Sequence, residues 1–288
     1  MFEIVERKDL NSEVVLMKIY APKISKKAKA GQFIMLRVDE VGERIPLTIA
    51  DYDRDLGTVT IIFQTVGYTT NKLAHKKKGD NILDFVGPLG RASCFDNAKK
   101  VLVVAGGLGA AIAYIKVKEL NEAGCDVDVV MGFRNKDLII LEEEMRKVGK
   151  KVFITTDDGS NGNKGFVTDE IKNLLKDIKY DLVDVVGPLK MMKAVCDTTK
   201  PYGIKTTVSM NPIMIDGTGM CGCCRLTVGG EIKFACVDGP DFDGHKVHFD
   251  EIIVRNEMYR DYEKESVKKN NHECNLYKLA KDKEGRDE

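Results

Sequence analysis

From Lys99 onward the chain repeats one pattern: short apolar, β-rich runs near 101–105, 127–133, 151–156, 182–186 and 205–209, separated by longer helical patterns. Strands alternating with helices predict a parallel sheet, because parallel neighbours need a crossover long enough to hold a helix. The first helix is expected from about Ala110 to Ala123 and the last from roughly Leu189 to Thr199. Gly124 and Pro201 provide the stops. Glycine tolerates the left-handed conformation that follows a helix, and proline cannot continue one.

The first 98 residues read differently. Short β-type segments, VVLMKIYAP, GQFIMLRV, RIPLTIA, TVTIIFQTV and NILDFVG, are broken by Gly, Pro and Asp, which predicts a small antiparallel barrel or sandwich. One helix is expected over Thr70 to Lys78, with Lys76 to Lys78 as its solvated end. The predicted organisation is α/β plus β. It comprises an antiparallel β-barrel over 1–98, a doubly wound parallel-sheet domain over 99–208, a small Gly- and Cys-rich unit over 209–254 and a charged tail over 255–288. The tail holds nine acidic and nine basic residues in 34 positions.

Lys plus Arg and Asp plus Glu both number 45, so the chain lacks the excess positive field that a non-specific nucleic-acid binder or a polybasic membrane reader needs. Its longest nearly apolar run, Val101 to Ile115, is 15 residues with three glycines, short of the roughly 20 that span a bilayer. The beginning, MFEIVERKDL, carries acids and no apolar signal core, so a reducing, cytoplasmic setting is expected.

Eight cysteines in such a setting need another explanation. Cys221, Cys223, Cys224 and Cys236 crowd into 16 residues, which suggests metal. The spacing Asp216-x4-Cys221-x2-Cys224-x11-Cys236 matches that of a plant-type [2Fe–2S] loop, with aspartate in the first cysteine position. Gly217, Gly219 and Gly222 supply a backbone that can wrap closely around two irons. Cys223 adjoins a ligand and is left out. The bland alternative is that Asp216-Gly217 is only a turn. A zinc site of Cys221, Cys224 and Cys236 with His245 or His248 is the other reading, and would make the chain a zinc-stabilised, non-enzymatic nucleotide-binding module.

A second signal is Gly106-Gly107-Leu108-Gly109-Ala110-Ala111, placed directly after the strand KKVLVVA and opening a helix. Glycines there let a diphosphate approach the helix N-terminus, whose free N–H groups favour anions. The second strand ends Gly132-Phe133-Arg134, with no ribose-binding acid in the usual place. Two further loops, Thr155 to Ser160 with Asp157 and Asp158, and Gly187-Pro188, fall at the carboxyl ends of predicted strands, where open α/β sheets bind ligands. In the barrel region, Arg44-Ile45-Pro46-Leu47-Thr48, Ile62-Phe63-Gln64 and Gly67-Tyr68-Thr69-Thr70 read on composition alone as strands and a turn.

In their order along residues 1–250, GQF at 31–33, the R-x-P-L-T run, GPLG at 87–90, GGLGAA, TTDDGS and the terminal cysteine motif resemble the ferredoxin-reductase-type flavoprotein superfamily. The branch most resembled contains the dihydroorotate dehydrogenase electron-transfer subunit. The resemblance implies that Pro46, Leu47 and Thr48 touch the isoalloxazine of FAD, with Thr48 on the N5 side. It also implies that Ile62, Phe63, Gln64, Gly67, Thr69 and Thr70 hold the ribityl chain and diphosphate. The family's usual arginine falls at Ile45, and Arg44 stands one place earlier.

Asp216 replaces the cysteine of the dihydroorotate branch. The run VSMNPIMIDGTGMCGCC is similar to that of the small subunits of electron-bifurcating ferredoxin:NADP oxidoreductases, and sulfide dehydrogenase subunits look much the same. What this resemblance implies is hydride transfer from NADH to FAD, then single electrons through a [2Fe–2S] cluster to a larger flavin and iron–sulfur subunit that deals with ferredoxin and NADP.

Overall fold

The computed structural model describes residues 1–263 and 265; most of the expected charged tail, Cys274 included, lies outside the described residues. Strands β1 (Phe2–Asp9), β2 (Val14–Tyr20), β3 (Phe33–Arg37), β4 (Arg44–Asp53), β5 (Thr58–Gln64), β6 (Asn81–Ile82) and β7 (Asp84–Leu89) form one antiparallel sheet in the order β6-β1-β2-β5-β4-β3-β7. Its two outermost strands, β6 and β7, are joined by the single residue Leu83, so the sheet curls until its edges nearly meet. This is the expected barrel. Alternate residues point inward, and Val59, Ile61 and Phe63 of β5 join Ile34, Leu36 and Ile49 in the interior. Ile62 faces outward and packs with Val14 and Ala50 against the second domain.

Two short helices accompany the barrel, α1 (Pro22–Ser25) and α2 (Tyr68–Ala74). Sequence periodicity starts the second helix two residues late and ends it four residues late. The Thr70 hydroxyl accepts from Gly67 N at 3.0 Å and so starts it at Tyr68. Beyond Ala74 the Asp80 carboxylate captures Lys77 N at 2.7 Å, which turns the chain into Gly79. β1 escapes the hydropathy pattern because Ile4 is the one fully buried residue among its eight.

The second domain carries β8 (Lys100–Gly106), β9 (Asp126–Phe133), β10 (Lys151–Thr156), β11 (Leu182–Val186) and β12 (Lys205–Ser209), all parallel, in the order β10-β9-β8-β11-β12. Helices α3 (Gly109–Glu122) and α4 (Glu142–Val148) pack on the face of Val101, Val103 and Ala105. The opposite face, with Leu102 and Val104, receives α5 (Val167–Asp177) and α6 (Leu189–Thr199). Burial on both faces explains why these strands read as unbroken apolar runs, each Val or Leu stabilising the fold by roughly 1.5–3 kcal/mol. α3 closes as expected at Gly124: Gly124 N donates to Asn121 O at 2.9 Å and Cys125 N to Leu120 O at 3.0 Å, with Gly124 at φ +80°.

After β12 come the hairpin β13 (Arg225–Val228) and β14 (Glu231–Phe234), then β15 (Asp241–Asp243) and α7 (Phe249–Glu257). β15 pairs antiparallel with β12 and so returns to the edge of the nucleotide sheet. α7 runs through residue 254, the expected end of the iron–sulfur unit.

Candidate dinucleotide cleft, flavin face and iron–sulfur loop

At the carboxyl ends of the parallel strands lies a cleft of about 760 Å³ between the sheet and the barrel. Gly106, Gly107, Gly109, Arg134, Asp157, Gly187, Pro188 and Gln64, all named above from sequence, line it. The loop after β8 shows why its glycines differ. Gly107 has φ +54° and open space where a Cβ would stand, whereas a Cβ on Gly109 would run into the Val186 carbonyl oxygen and lie 2.8 Å from its carbon. Gly107 therefore keeps the helix N-terminus open toward the cleft, and Gly109 lets α3 approach β11. Ala110 is fully buried behind this loop. Arg134 is 3.7 Å from Glu13, and the Asp158 carboxylate is tied to Ser160, whose hydroxyl and N–H hold it below its ordinary range.

β4 presents its residues alternately. Ile45 and Leu47 pack on the barrel core, so Arg44, Pro46 and Thr48 share the outer face. On the neighbouring strand Phe33 pairs with Thr48 and Met35 with Pro46. Phe33 and Met35 belong to the same apolar cluster as Cys224 and Cys236, which puts the cysteine loop on the outer face of β3, beside the outward residues of β4. Phe63 points into the barrel, leaving its backbone for any ligand, and Leu47 likewise turns its side chain inward. Gly67 begins α2, Thr70 caps it, and the buried Thr69 hydroxyl donates to Glu43 at 2.7 Å. Arg44 meets Asp84 at 3.4 Å.

The cysteine loop fits a cluster. Cys224 Sγ and Cys236 Sγ are 3.2 Å apart and buried, with burial pushing the Cys236 thiol up to about 12. Backbone N–H groups of Cys223, then of Asp216 and Ile215, favour the Cys221 thiolate and hold the thiol below its ordinary value, and Cys236 N donates to Cys224 Sγ at 3.5 Å. Such N–H donors around thiolates are among the tuning contacts of iron–sulfur sites. Gly217, Gly219 and Gly222 all have positive φ, and a Cβ on Gly217 would come within 2.8 Å of Met35. Cys223 touches the Cys221 thiol, and its carbonyl accepts from Arg255 at 2.8 Å. Asp216 is half-buried; its Oδ2 accepts from Thr218 N, the Thr218 hydroxyl and Met220 N. Of the zinc reading's two histidines, His245 is engaged by Thr199 at 3.0 Å on the far side of β15, and His248 begins α7.

Sequence reasoning missed the barrel's share of the cleft, Asn11, Glu13 and Val14 of the β1–β2 turn. It also missed a buried charge cluster, Lys116, Asp184 and Asp241. The signal was present in the form of lone charges in the apolar runs AAIAYIKV and LVDVV.

Residues 103–197 match the oxidoreductase NAD-binding domain, and residues 211–248 match the iron–sulfur cluster binding domain of dihydroorotate dehydrogenase B. The second match replaces the zinc reading by iron–sulfur. Phthalate dioxygenase reductase, 17% identical with TM-score 0.59 over 79% of this chain and 85% of its own, shares the fold. Fold and sites define an oxidoreductase subunit for electron transfer, with binding sites for NAD(H), FAD and an iron–sulfur cluster. Among sequence relatives, an uncharacterized protein in the adh 3′ region of Clostridium beijerinckii is 53% identical over 90% of this chain and 91% of its own length. The Thermotoga maritima homolog of the dihydroorotate dehydrogenase B (NAD(+)) electron transfer subunit is 46% identical over 93% and 94%. A chain of the NADH-dependent reduced ferredoxin-NADP oxidoreductase, solved for its flavin-based electron bifurcation, is 45% identical, with TM-score 0.89 over 93% and 97%. The chain belongs to the family of dihydroorotate dehydrogenase B electron-transfer subunits and their homologues.

Proposed function

We propose that the chain is the small subunit of an electron-bifurcating ferredoxin:NADP transhydrogenase, passing electrons from NADH to a larger flavin and iron–sulfur subunit. The observation that carries this is the cysteine loop with aspartate in its first position, packed on Phe33 and Met35 beside the Pro46 and Thr48 of the same sheet face. The 45% identity to a chain of the bifurcating enzyme supports it. A second reading, electron-transfer subunit of a dihydroorotate or sulfide dehydrogenase, is favoured by the 46% identical Thermotoga relative. In either case the chain works in the cytoplasm. Among the described residues no helix is long and apolar enough to cross a membrane.

FAD, held here, would supply the conversion between the two-electron chemistry of NADH and the single electrons that the cluster carries. The chain's own residues bind, orient and exclude water. Gly106 and Gly107 with the N-terminus of α3 receive the diphosphate, Arg134 and Asp157 border the adenosine end, and Gly187-Pro188 borders the nicotinamide. Thr48 offers a hydroxyl on the N5 side of the flavin, with Arg44 and Pro46 beside it. Backbone of Ile62 to Gln64 and the α2 turn of Gly67, Thr69 and Thr70 serve the ribityl chain and diphosphate. Asp216, Cys221, Cys224 and Cys236 hold the cluster. No acid–base pair is required for hydride transfer.

The deciding experiment is purification of the native complex with identification of the second subunit, together with a visible spectrum before and after NADH. Flavin and iron–sulfur bands that bleach, with a ferredoxin- and NADP-using partner, support the proposal. A dihydroorotate-oxidising partner would select the second reading, and a colourless protein would sink both.

A further inference from the structure

Lys116 lies on α3 seven residues beyond Gly109, two turns along the same face. Its ammonium is completely buried and meets both Asp184 oxygens on β11, at 3.0 and 3.1 Å, and Asp241 Oδ2 on β15, at 2.8 Å. The Ser93 hydroxyl, on the segment leading from the barrel into β8, donates to the same Asp241 oxygen at 2.5 Å. Ser93 N in turn donates to Ala30 O at 2.8 Å, and a Cβ on neighbouring Gly31 would run into the Ser93 hydroxyl. Asp241 is thus bonded from the nucleotide domain and from the barrel side while standing five residues beyond the last cysteine of the loop.

The same stretch of α3 holds the barrel directly. Glu119 accepts from Ala30 N at 2.7 Å and from the Tyr52 hydroxyl at 2.9 Å, and Lys118 meets Asp51 at 2.9 Å. Stability alone does not call for a buried Lys with two carboxylates, because apolar side chains of similar volume often serve as well or better. What such a cluster supplies is one allowed geometry, since displacing any member strands a buried charge.

We propose that Lys116 is a positioning residue: with Asp184 it anchors Asp241, and with Ser93 on the barrel side it holds the iron–sulfur unit at a single distance from the flavin. This rests on the electron-transfer reading above, in which both cofactors are bound. The dinucleotide loop is outside the network, so hydride transfer into the flavin is spared when the network is cut, whereas transfer onward to the cluster is not.

The test uses the full chain with flavin and cluster loaded, as wild type, Ser93→Ala, Asp241→Asn and Lys116→Met. Ser93→Ala leaves every charge paired and keeps the test open if Lys116→Met does not fold. Stopped-flow mixing with NADH reads flavin bleaching and cluster reduction separately, and pulsed EPR reads the distance distribution between the one-electron-reduced flavin and the reduced cluster. Expected is flavin bleaching within about twofold of wild type, cluster reduction slowed beyond that range in Asp241→Asn, and a broadened distribution in each variant that folds. Equal slowing of both steps, or a distribution as narrow as wild type in Ser93→Ala and Asp241→Asn, would overturn the proposal. A wild-type chain with neither flavin nor iron would instead overturn the electron-transfer reading.

Discussion

Met35 and Gly217 stand so close that a Cβ on the glycine would lie 2.8 Å from Met35 Cγ and 3.2 Å from Leu89 Cδ1. Gly217 also holds φ at +82°, a region that L side chains rarely adopt. Gly217→Ala should therefore push the cysteine loop off the barrel at a cost of about 1–3 kcal/mol. Iron release to a chelator, followed by loss of visible absorption, should be faster than in wild type. A variant that keeps its iron at the wild-type rate would show that the loop does not depend on this contact.

The two glycines of the dinucleotide loop should separate. Gly109→Ala meets the Val186 carbonyl and should lower thermal stability by about 1–3 kcal/mol while weakening NADH binding. Gly107→Ala has open space and only its positive φ to oppose it, about 1–2 kcal/mol. Thermal unfolding with NADH titration checks both, and a Gly109→Ala protein as stable as wild type would refute the close α3–β11 approach.

For Asp216, all three of the turn's hydrogen bonds converge on Oδ2, so ligation of iron through Oδ1 leaves the turn intact. A carboxylate carries the same charge as a thiolate and donates less electron density to iron. Asp216→Cys should then lower the cluster's reduction potential, and Asp216→Ala should lose iron unless Cys223 moves in. Redox titration by EPR with iron analysis, extended to Asp216→Ala with Cys223→Ser, distinguishes the cases. An unmoved potential in Asp216→Cys would return Asp216 to a turn former.

Burial raises the Asp184 carboxyl to about 6, with Lys116 opposing and Asp241 adding to the shift. A carboxyl raised in the folded state binds more protons there than in the unfolded chain between about pH 4 and 6. Its contribution to stability accordingly falls as pH rises through that window and is level above it. Melting curves of wild type and Asp184→Asn from pH 4 to 8 should show wild type losing ground to the variant between 4 and 6. Parallel curves would place the Asp184 titration elsewhere.

Much of this architecture is legible in the amino-acid order because burial on two faces leaves an unmistakable trace. The runs 151–156, 182–186 and 205–209 are strands over those residues, and α6 spans Leu189–Thr199 as Pro201 requires. β1 was illegible because a strand with one buried residue has no alternation to read. The dinucleotide loop was legible through its glycines, yet the separate tasks of Gly107 and Gly109 depend on β11, eighty residues away in sequence. The flavin role of the β4 face rests on resemblance alone. Which of Arg44 to Thr48 turn outward follows from the pleat, and the pleat is set by pairing with β3. Lys116, Asp184 and Asp241 come together from three elements, and hydropathy can flag the first two charges but cannot pair them with each other or with Asp241.

β15 has a consequence for the company the molecule keeps. A sheet ending at β12 would offer a row of free N–H and C=O groups to any passing strand. The iron–sulfur unit covers that row with three residues, Asp-Phe-Asp, too short and too acidic to serve as a template for another chain. The iron–sulfur unit thus also seals the β12 edge of the nucleotide domain against sticking to its own kind.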